Sequence, residues 1–303
     1  MRQARRKEKN AEAREPKRPA APETPPSETP PPPAAPDAHV PWKKPEGLSR
    51  RGWAVLATVL VLLQFPLLHY ALFRGLAPVT AQVPYSQDFS DPGVVARDFY
   101  STGGFWRTVD GQLLSPGVRN NPLWLQAALP GDVAVEFDVR SESVEGDIKV
   151  ELFGDGTDHA SGYIFIHGGW NNTLSIIARL DEHGVPLDAL ERQARRVAEQ
   201  RGTPGQAGLV ETGVFSARTH MRVEARPYPV RTGQTYHWRI ERRGALLRWS
   251  IDGQPFMQFE DPLPLKGKGH DRFGFSSWEA QLYFDNLKIE PLSPGASAPG
   301  ASR

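Results

Sequence analysis

The chain has 303 residues, with 36 Lys and Arg against 35 Asp and Glu, 29 prolines and no cysteine. The missing cysteine excludes thiol catalysis, cysteine-held metals and disulfides, so an exported domain of this sequence must rest on its own core. The net charge of +1 hides an imbalance: residues 1–51 hold twelve basic and seven acidic side chains, and the remainder holds 24 and 28. A basic tail thus precedes a mildly acidic body, and that body lacks the basic balance expected of a nucleic-acid binder.

Met1 to Gly47 contains twelve of the prolines, including the run Pro30 to Pro33. Such a segment can bury little, so residues 1–51 are expected to be a disordered, basic, Pro-rich tail. A polyproline ligand for a partner domain is the alternative to a solvated spacer. The next stretch, WAVLATVLVLLQFPLLHYALF from Trp53 to Phe73, is a predominantly apolar run with no formal charge apart from whatever His69 holds. At about 1.5 Å per residue it reaches roughly 30 Å, enough to cross a bilayer core once. A transmembrane helix is therefore expected over residues 52–74, followed by a linker over 75–84. Signal-peptidase cleavage before Pro78 or Gln82 is the competing reading. Lys43, Lys44, Arg50 and Arg51 crowd the N-terminal flank, and basic flanks stay cytoplasmic. The tail is expected inside, and the body on the periplasmic or extracellular side of a cytoplasmic membrane. The richness in Ala, Arg, Pro and Gly points to a bacterial chain.

Period-two alternation dominates the chain beyond residue 84, the pattern of half-buried strands. In AVEFDVR, Val135, Phe137 and Val139 oppose Glu136, Asp138 and Arg140; in DIKVELF, Ile148, Val150 and Leu152 oppose Lys149 and Glu151. TLSIIARLD, HMRVEAR, YHWRIER and LLRWSID behave similarly. Turn pairs such as Asp110-Gly111, Gly168-Gly169 and Asp252-Gly253 separate the strands. An all-β, two-sheet antiparallel sandwich is expected over 85–292. One helical insertion interrupts it near 186–201, with Asp188 and Glu191 in a capping pattern and Glu191 and Arg195 at ion-pair spacing. Residues 293–303, SPGASAPGASR, should be disordered.

Three segments, in order, resemble a known superfamily: QDFSD followed by GGFWRTVDGQLLS, then YHWRIERRGALLRWSIDGQPFMQFEDPLPL, then DRFGFSSWEAQLYFDNLKIEPL. Together they are similar to the concanavalin A-like lectin/glucanase superfamily, especially its laminin-G-like and 3-keto-disaccharide-hydrolase-like jelly rolls. The resemblance implies a jelly roll whose first and last strands pair and whose concave sheet can bind sugar. It also implies a structural calcium ion on Asp285, in the Phe284 to Leu287 motif, with Asp88 or Ser90 beside it. Asp155 and Asp158 offer a further acidic pair, of no EF-hand pattern.

Glycosidases of this superfamily need two flanking carboxylates, about 5–5.5 Å apart for retention. Glu136-Phe137-Asp138 begins the Glu-x-Asp-x-x-Glu strand of family sixteen, but Ser141 stands where the acid–base Glu belongs, and Glu142 falls on the opposite face. What remains is binding chemistry. Sugars present hydroxyl edges to Asn, Asp and Arg and C–H faces to aromatic rings. HGGWNN supplies His167, Trp170, Asn171 and Asn172, with Arg179 in the next strand; Trp278 in SSWE is a second candidate. For both tryptophans a core position is the competing reading, whereas Trp106, Trp124, Trp238 and Trp249 read as structural. The leading expectation is a non-catalytic, membrane-anchored binder of a glycan or cell-envelope polysaccharide. One alternative is a carbohydrate-active enzyme on which Glu136, Asp138, Glu224 and Glu241 converge. The other is a structural envelope protein that binds a protein partner through its insertion.

Overall fold

The computed structural model describes residues 47–73, 81–203, 205, 207–225 and 228–293. The Pro-rich segment up to Glu46, most of the expected linker and the end after Ser293 lie outside the described residues. Helix α1 (Arg50–Phe73) carries Pro66 inside it, and its apolar side chains from Trp53 to Leu68 are exposed. By length and composition it is able to cross a membrane over Arg50–His69.

The β-rich body begins with β1 (Tyr85–Gln87), α2 (Val94–Asp98), β2 (Phe99–Ser101), β3 (Arg107–Val109), β4 (Gln112–Pro116) and β5 (Leu123–Leu125). Longer strands come next: β6 (Val133–Ser141), β7 (Ile148–Gly154), β8 (Tyr163–Gly168), the one-turn α3 (Gly169–Asn172) and β9 (Leu174–Arg179). The insertion comprises β10 (Val185–Pro186), α4 (Leu187–Gln200) and β11 (Met221–Ala225). The chain closes with β12 (Thr235–Arg243), β13 (Leu246–Ile251), β14 (Gln254–Glu260), β15 (Arg272–Ser277) and β16 (Gln281–Pro291).

These strands form two sheets. The first runs β14-β13-β12-β6-β16-β4-β3, with β1 also on β16; the second runs β10-β11-β9-β8-β7-β15-β5-β2. The chain crosses between sheets at β1–β2, β2–β3, β4–β5, β5–β6, β6–β7, β11–β12, β14–β15 and β15–β16, the connectivity of a jelly-roll sandwich. Only the two-residue β10–β11 ladder is parallel among the described pairs. First and last strands pair, Tyr85 opposite Ile289 and Gln87 opposite Leu287. Asp110-Gly111 and Asp252-Gly253 both take positive φ, the geometry that closes two-residue hairpins without splaying their strands.

Between the sheets, Phe137 is fully buried among Trp238, Phe273, Phe275 and Phe284, with ring centroids 5.4 to 6.2 Å away. Burying each such side chain contributes about 1.5–3 kcal/mol, and clusters of this kind replace the absent disulfides. Trp106, Trp124, Trp238 and Trp249 are all buried, as their strand settings imply. In α4, Leu190, Ala194 and Ala198 form the buried stripe. Its start differs from expectation: Pro186 occupies the N-cap with no side-chain cap, and Asp188 pairs with Arg192 one turn on.

Candidate functional site

Strand alternation points Ile148, Val150 and Leu152 of β7 into the sandwich and Lys149 and Glu151 outward. An outward row should be solvated, yet Lys149 is 1% and Glu151 0% exposed. On the neighbouring strands the outward positions are Ile164, Ile166, Ile176 and Ala178, which join Leu174 in a second apolar cluster. Flanking loops cover this face and bring polar partners to the charged pair. The Lys149 ammonium donates to Asn120 Oδ1 at 2.8 Å and Glu182 Oε2 at 2.9 Å, with Asp147 Oδ1 at 3.6 Å. Asn120 also donates to Glu182 Oε1 at 3.3 Å. Glu151 accepts the Ala160 N–H at 2.9 Å and contacts His159 Nδ1 at 2.6 Å.

Electrostatics follow from this packing. Burial pushes the Asp147 carboxyl above its ordinary range; Lys149 opposes that shift and the Glu182 charge adds to it. At Glu182 burial also raises, but the Lys149 charge and hydrogen bond, with His159 and Asn120, outweigh it and hold the carboxyl below its ordinary range.

A cleft of about 510 Å³ opens over this array, with Trp170 and Trp278 among its walls. Both rings are accessible, at 37% and 45% exposure. Trp170 is presented by an unusual backbone: Gly168, Trp170, Asn171 and Asn172 all have φ between 51° and 68°. Left-handed turns of non-glycine residues cost roughly 1–2 kcal/mol per residue, so something must hold this one. Asn172 does, accepting the Val230 N–H at 2.7 Å and donating to the Val230 carbonyl at 2.6 Å. Gly168 is required there, because a Cβ would lie 2.4 Å from Asn172 Oδ1. Strain of this kind, over-determined by its surroundings, is characteristic of functional sites. The Trp170 ring is steadied by His183, edge-on at 5.8 Å, and by the Arg222 guanidinium at 5.9 Å.

Of the residues singled out in the sequence, the structure brings Trp170, Asn171 and Trp278 to one cleft. Asn172 lies behind them as the clasp of the turn. His167 and Arg179 are elsewhere: both face the interior and are buried. His167 lies at 2.8 Å from the Tyr228 carbonyl through Nε2, stacked on the Tyr228 ring. Arg179 donates to Asp261 at 2.8 Å and to the Ala217, Thr219 and Leu263 carbonyls. Alternation explains both, since His167 shares its strand face with Phe165 and Arg179 shares its own with Ile177. Neither side chain is free to meet a ligand in this state.

The polar row Glu136, Asp138 and Arg140 lies on the outward face of the other sheet. Asp138 accepts from Asn286 at 2.8 Å and meets His237 at 2.7 Å, while Glu136 and Glu241 share Arg239. Glu224 belongs to β11 in the opposite sheet, so the four carboxylates do not converge. Asp88 Oδ1 holds the Ser90 N–H and hydroxyl, and Asp285 accepts from Gln112 at 3.4 Å and from the Asn286 N–H at 2.7 Å. Asp155 Oδ1 folds its own loop by accepting the Thr157 and Asp158 N–H groups. Among the described residues no three His, Cys, Asp or Glu side chains gather as a metal group.

Asn120, Asp147, Lys149 and Glu182 were not singled out from sequence. Their one signal is Lys149 and Glu151 alternating on a strand beside the unbroken apolar run Tyr163 to Ile166, which marks an outward face that is itself covered.

No protein-family model matches the sequence, and no curated protein matches it. Solved structures with partial likeness include the carbohydrate-binding module CBM66 from Bacillus subtilis, 15% identical, covering 64% of this chain and 95% of its own at a TM-score of 0.44. A protein of unknown function with a galectin-like fold from Bacillus subtilis is 16% identical, covering 68% and 94% at 0.41. Domain 4 of the extracellular arabinanase AbnA from Geobacillus stearothermophilus, in complex with arabinotriose, is 12% identical, covering 71% and 96% at 0.41. At these scores the likenesses carry no argument, and what the chain binds must be reasoned from its own cleft.

Proposed function

We propose that the chain is a non-catalytic glycan-binding domain held at the outer side of a cytoplasmic membrane by helix α1. The observation that carries the reading is the cleft on the second sheet, where two accessible tryptophans flank a fixed array of Asn120, Asp147, Lys149 and Glu182. Sugar rings offer C–H faces to indoles and hydroxyls to such donors and acceptors, and an array ordered before binding lowers the entropic cost of capture. The resemblance of the opening, hairpin and closing segments to concanavalin A-like domains points the same way. Trp170→Ala and Trp278→Ala should each weaken glycan binding by about 1–3 kcal/mol, roughly ten- to a hundredfold, while melting stays near that of the wild type. A glycan array run beside thermal melting checks this. Undiminished binding in both variants rejects the site, and a collapsed melting point would make the rings structural.

The anchor is supported by the apolar length of α1 and by the basic flank before it. A reporter fused after Arg303 should be active outside the cytoplasm; activity inside it would reject the orientation.

A further inference from the structure

At the end of β7 away from the tryptophan cleft, Phe153, Arg242, Lys266, Lys268, His270 and Asp271 line a separate cavity of about 250 Å³. Its charge is mostly positive and mostly unanswered. Asp271, the one carboxylate among the lining residues, is paired with Arg272 at 3.3 Å. Lys266 and Lys268 are exposed, and no carboxylate among the described residues pairs with either.

Arg242 is the unusual member, being only 4% exposed. Its guanidinium stacks on the Phe153 ring at 4.0 Å and lies 5.8 Å from the Tyr163 ring. Nε donates to the Gly244 carbonyl at 3.0 Å. Nη1 is buried with no hydrogen-bond partner, and no carboxylate among the described residues pairs with the charge. The acids whose charge reaches it are committed elsewhere. Asp261 is held by Arg179, Tyr163 and the Leu263 N–H, and Asp132 Oδ1 accepts the Gly244 N–H. Burial pushes the Arg242 pKa down, and Tyr163, Asp261 and Asp132 offset that only in part. His270 lines the same cavity, and its Nδ1 is also buried without a partner. A buried cation without an anion is costly, and two unanswered polar groups on one cavity call for a shared partner.

We propose that this cavity is an anion site for a phosphate group, free or esterified, with Arg242 as its buried donor and Lys266 and Lys268 at its exposed rim. A guanidinium fork matches paired phosphate oxygens, and a phosphate ester carries about two negative charges for the three cations present. The volume is below the roughly 300–1,000 Å³ of a pocket for a drug-sized ligand, so a small anion or one end of a larger molecule fits. The site is distinct from the tryptophan cleft and does not depend on the glycan reading.

Isothermal titration of the full chain in detergent, at constant ionic strength, compares inorganic phosphate, glycerol 3-phosphate and acetate. One phosphate should bind per chain, at least about tenfold more tightly than acetate. Glycerol 3-phosphate binding at least as tightly as inorganic phosphate identifies an esterified ligand, and weaker binding identifies the free ion; both support the site. Lys266→Gln/Lys268→Gln, at two exposed positions, should weaken phosphate binding roughly tenfold. Arg242→Met should abolish it, with melting measured alongside. Should Arg242→Met fail to fold, the lysine double variant decides. Absence of binding of both phosphate probes overturns the inference, as does acetate binding as tightly as phosphate. Wild-type phosphate affinity in the lysine double variant, or in a folded Arg242→Met, overturns it equally.

Discussion

Replacing Arg179 with methionine should destabilise the sandwich by about 3–5 kcal/mol, the largest single loss expected outside the aromatic core. The guanidinium is 1% exposed and Asp261 is 1% exposed, so the pair sits in a medium where an unanswered charge is expensive. Arg179 supplies Asp261 with a donor at 2.8 Å and satisfies three carbonyls besides. Tyr163 adds its hydroxyl to the same Asp261 oxygen at 2.7 Å and accepts the Leu265 N–H at 2.9 Å. The network thus ties β8 and β9 to the Asp261–Leu265 loop. With Arg179 gone, the carboxylate would be left to neutral donors, the Tyr163 hydroxyl and the Leu263 N–H at 2.8 Å. The double variant Arg179→Met/Asp261→Leu should regain part of the loss, since it removes the stranded charge together with its partner. Urea unfolding of the three proteins checks the cycle. A single variant within about 1 kcal/mol of wild type would show that the pair is not buried as described.

Lowering the pH from about 6.5 to about 4 should cost the fold roughly 3 kcal/mol through His167 alone. Burial lowers the affinity of this imidazole for a proton to a pKa of about 4, offset in part by the Tyr228 carbonyl and the distant Asp252 charge. In the unfolded chain the same ring takes up its proton near pH 6.5. Between those values the unfolded state binds more protons than the folded one, so stability falls as pH falls. Above about 6.5 the ring is neutral in both states and the contribution is fully present. The local cause is the packing of Tyr228, Tyr236, Trp238, Trp249 and Phe256 around the ring, which leaves Nδ1 without a partner. His167→Gln can retain a donor toward the Tyr228 carbonyl and cannot titrate. Its stability should therefore decline less steeply over this interval, and parallel pH profiles for variant and wild type would refute the assignment.

The sandwich was legible wherever one face of a strand is polar. β6, β12 and β13 alternate cleanly, and the Asp-Gly pairs mark the β3–β4 and β13–β14 hairpins. The tryptophan rim was partly legible too, because glycines beside Trp170 and polar neighbours beside Trp278 pointed to turns. Reading HGGWNN as one contiguous patch was the error. Period-two geometry sends His167 inward with Phe165, and only the left-handed turn after Gly168 reverses the chain enough to present Trp170. The floor of the cleft was not legible. Lys149 meets Asn120 and Glu182 across 29 and 33 residues of sequence, pairings that follow from how the loops fold over the second sheet. Local alternation predicts a solvated Lys149 and Glu151; the covering loops override it.

The central claim, that a glycan lies against Trp170 and Trp278, is tested most directly by oxidising the full chain with N-bromosuccinimide and mapping each tryptophan by peptide mass. Without ligand, the two cleft tryptophans should react, while Trp124, Trp238 and Trp249, each at most 1% exposed, stay intact. Saturation with the glycan that binds most strongly on the array should protect Trp170 and Trp278 together. Oxidation of both at the same rate with and without that glycan would contradict the account.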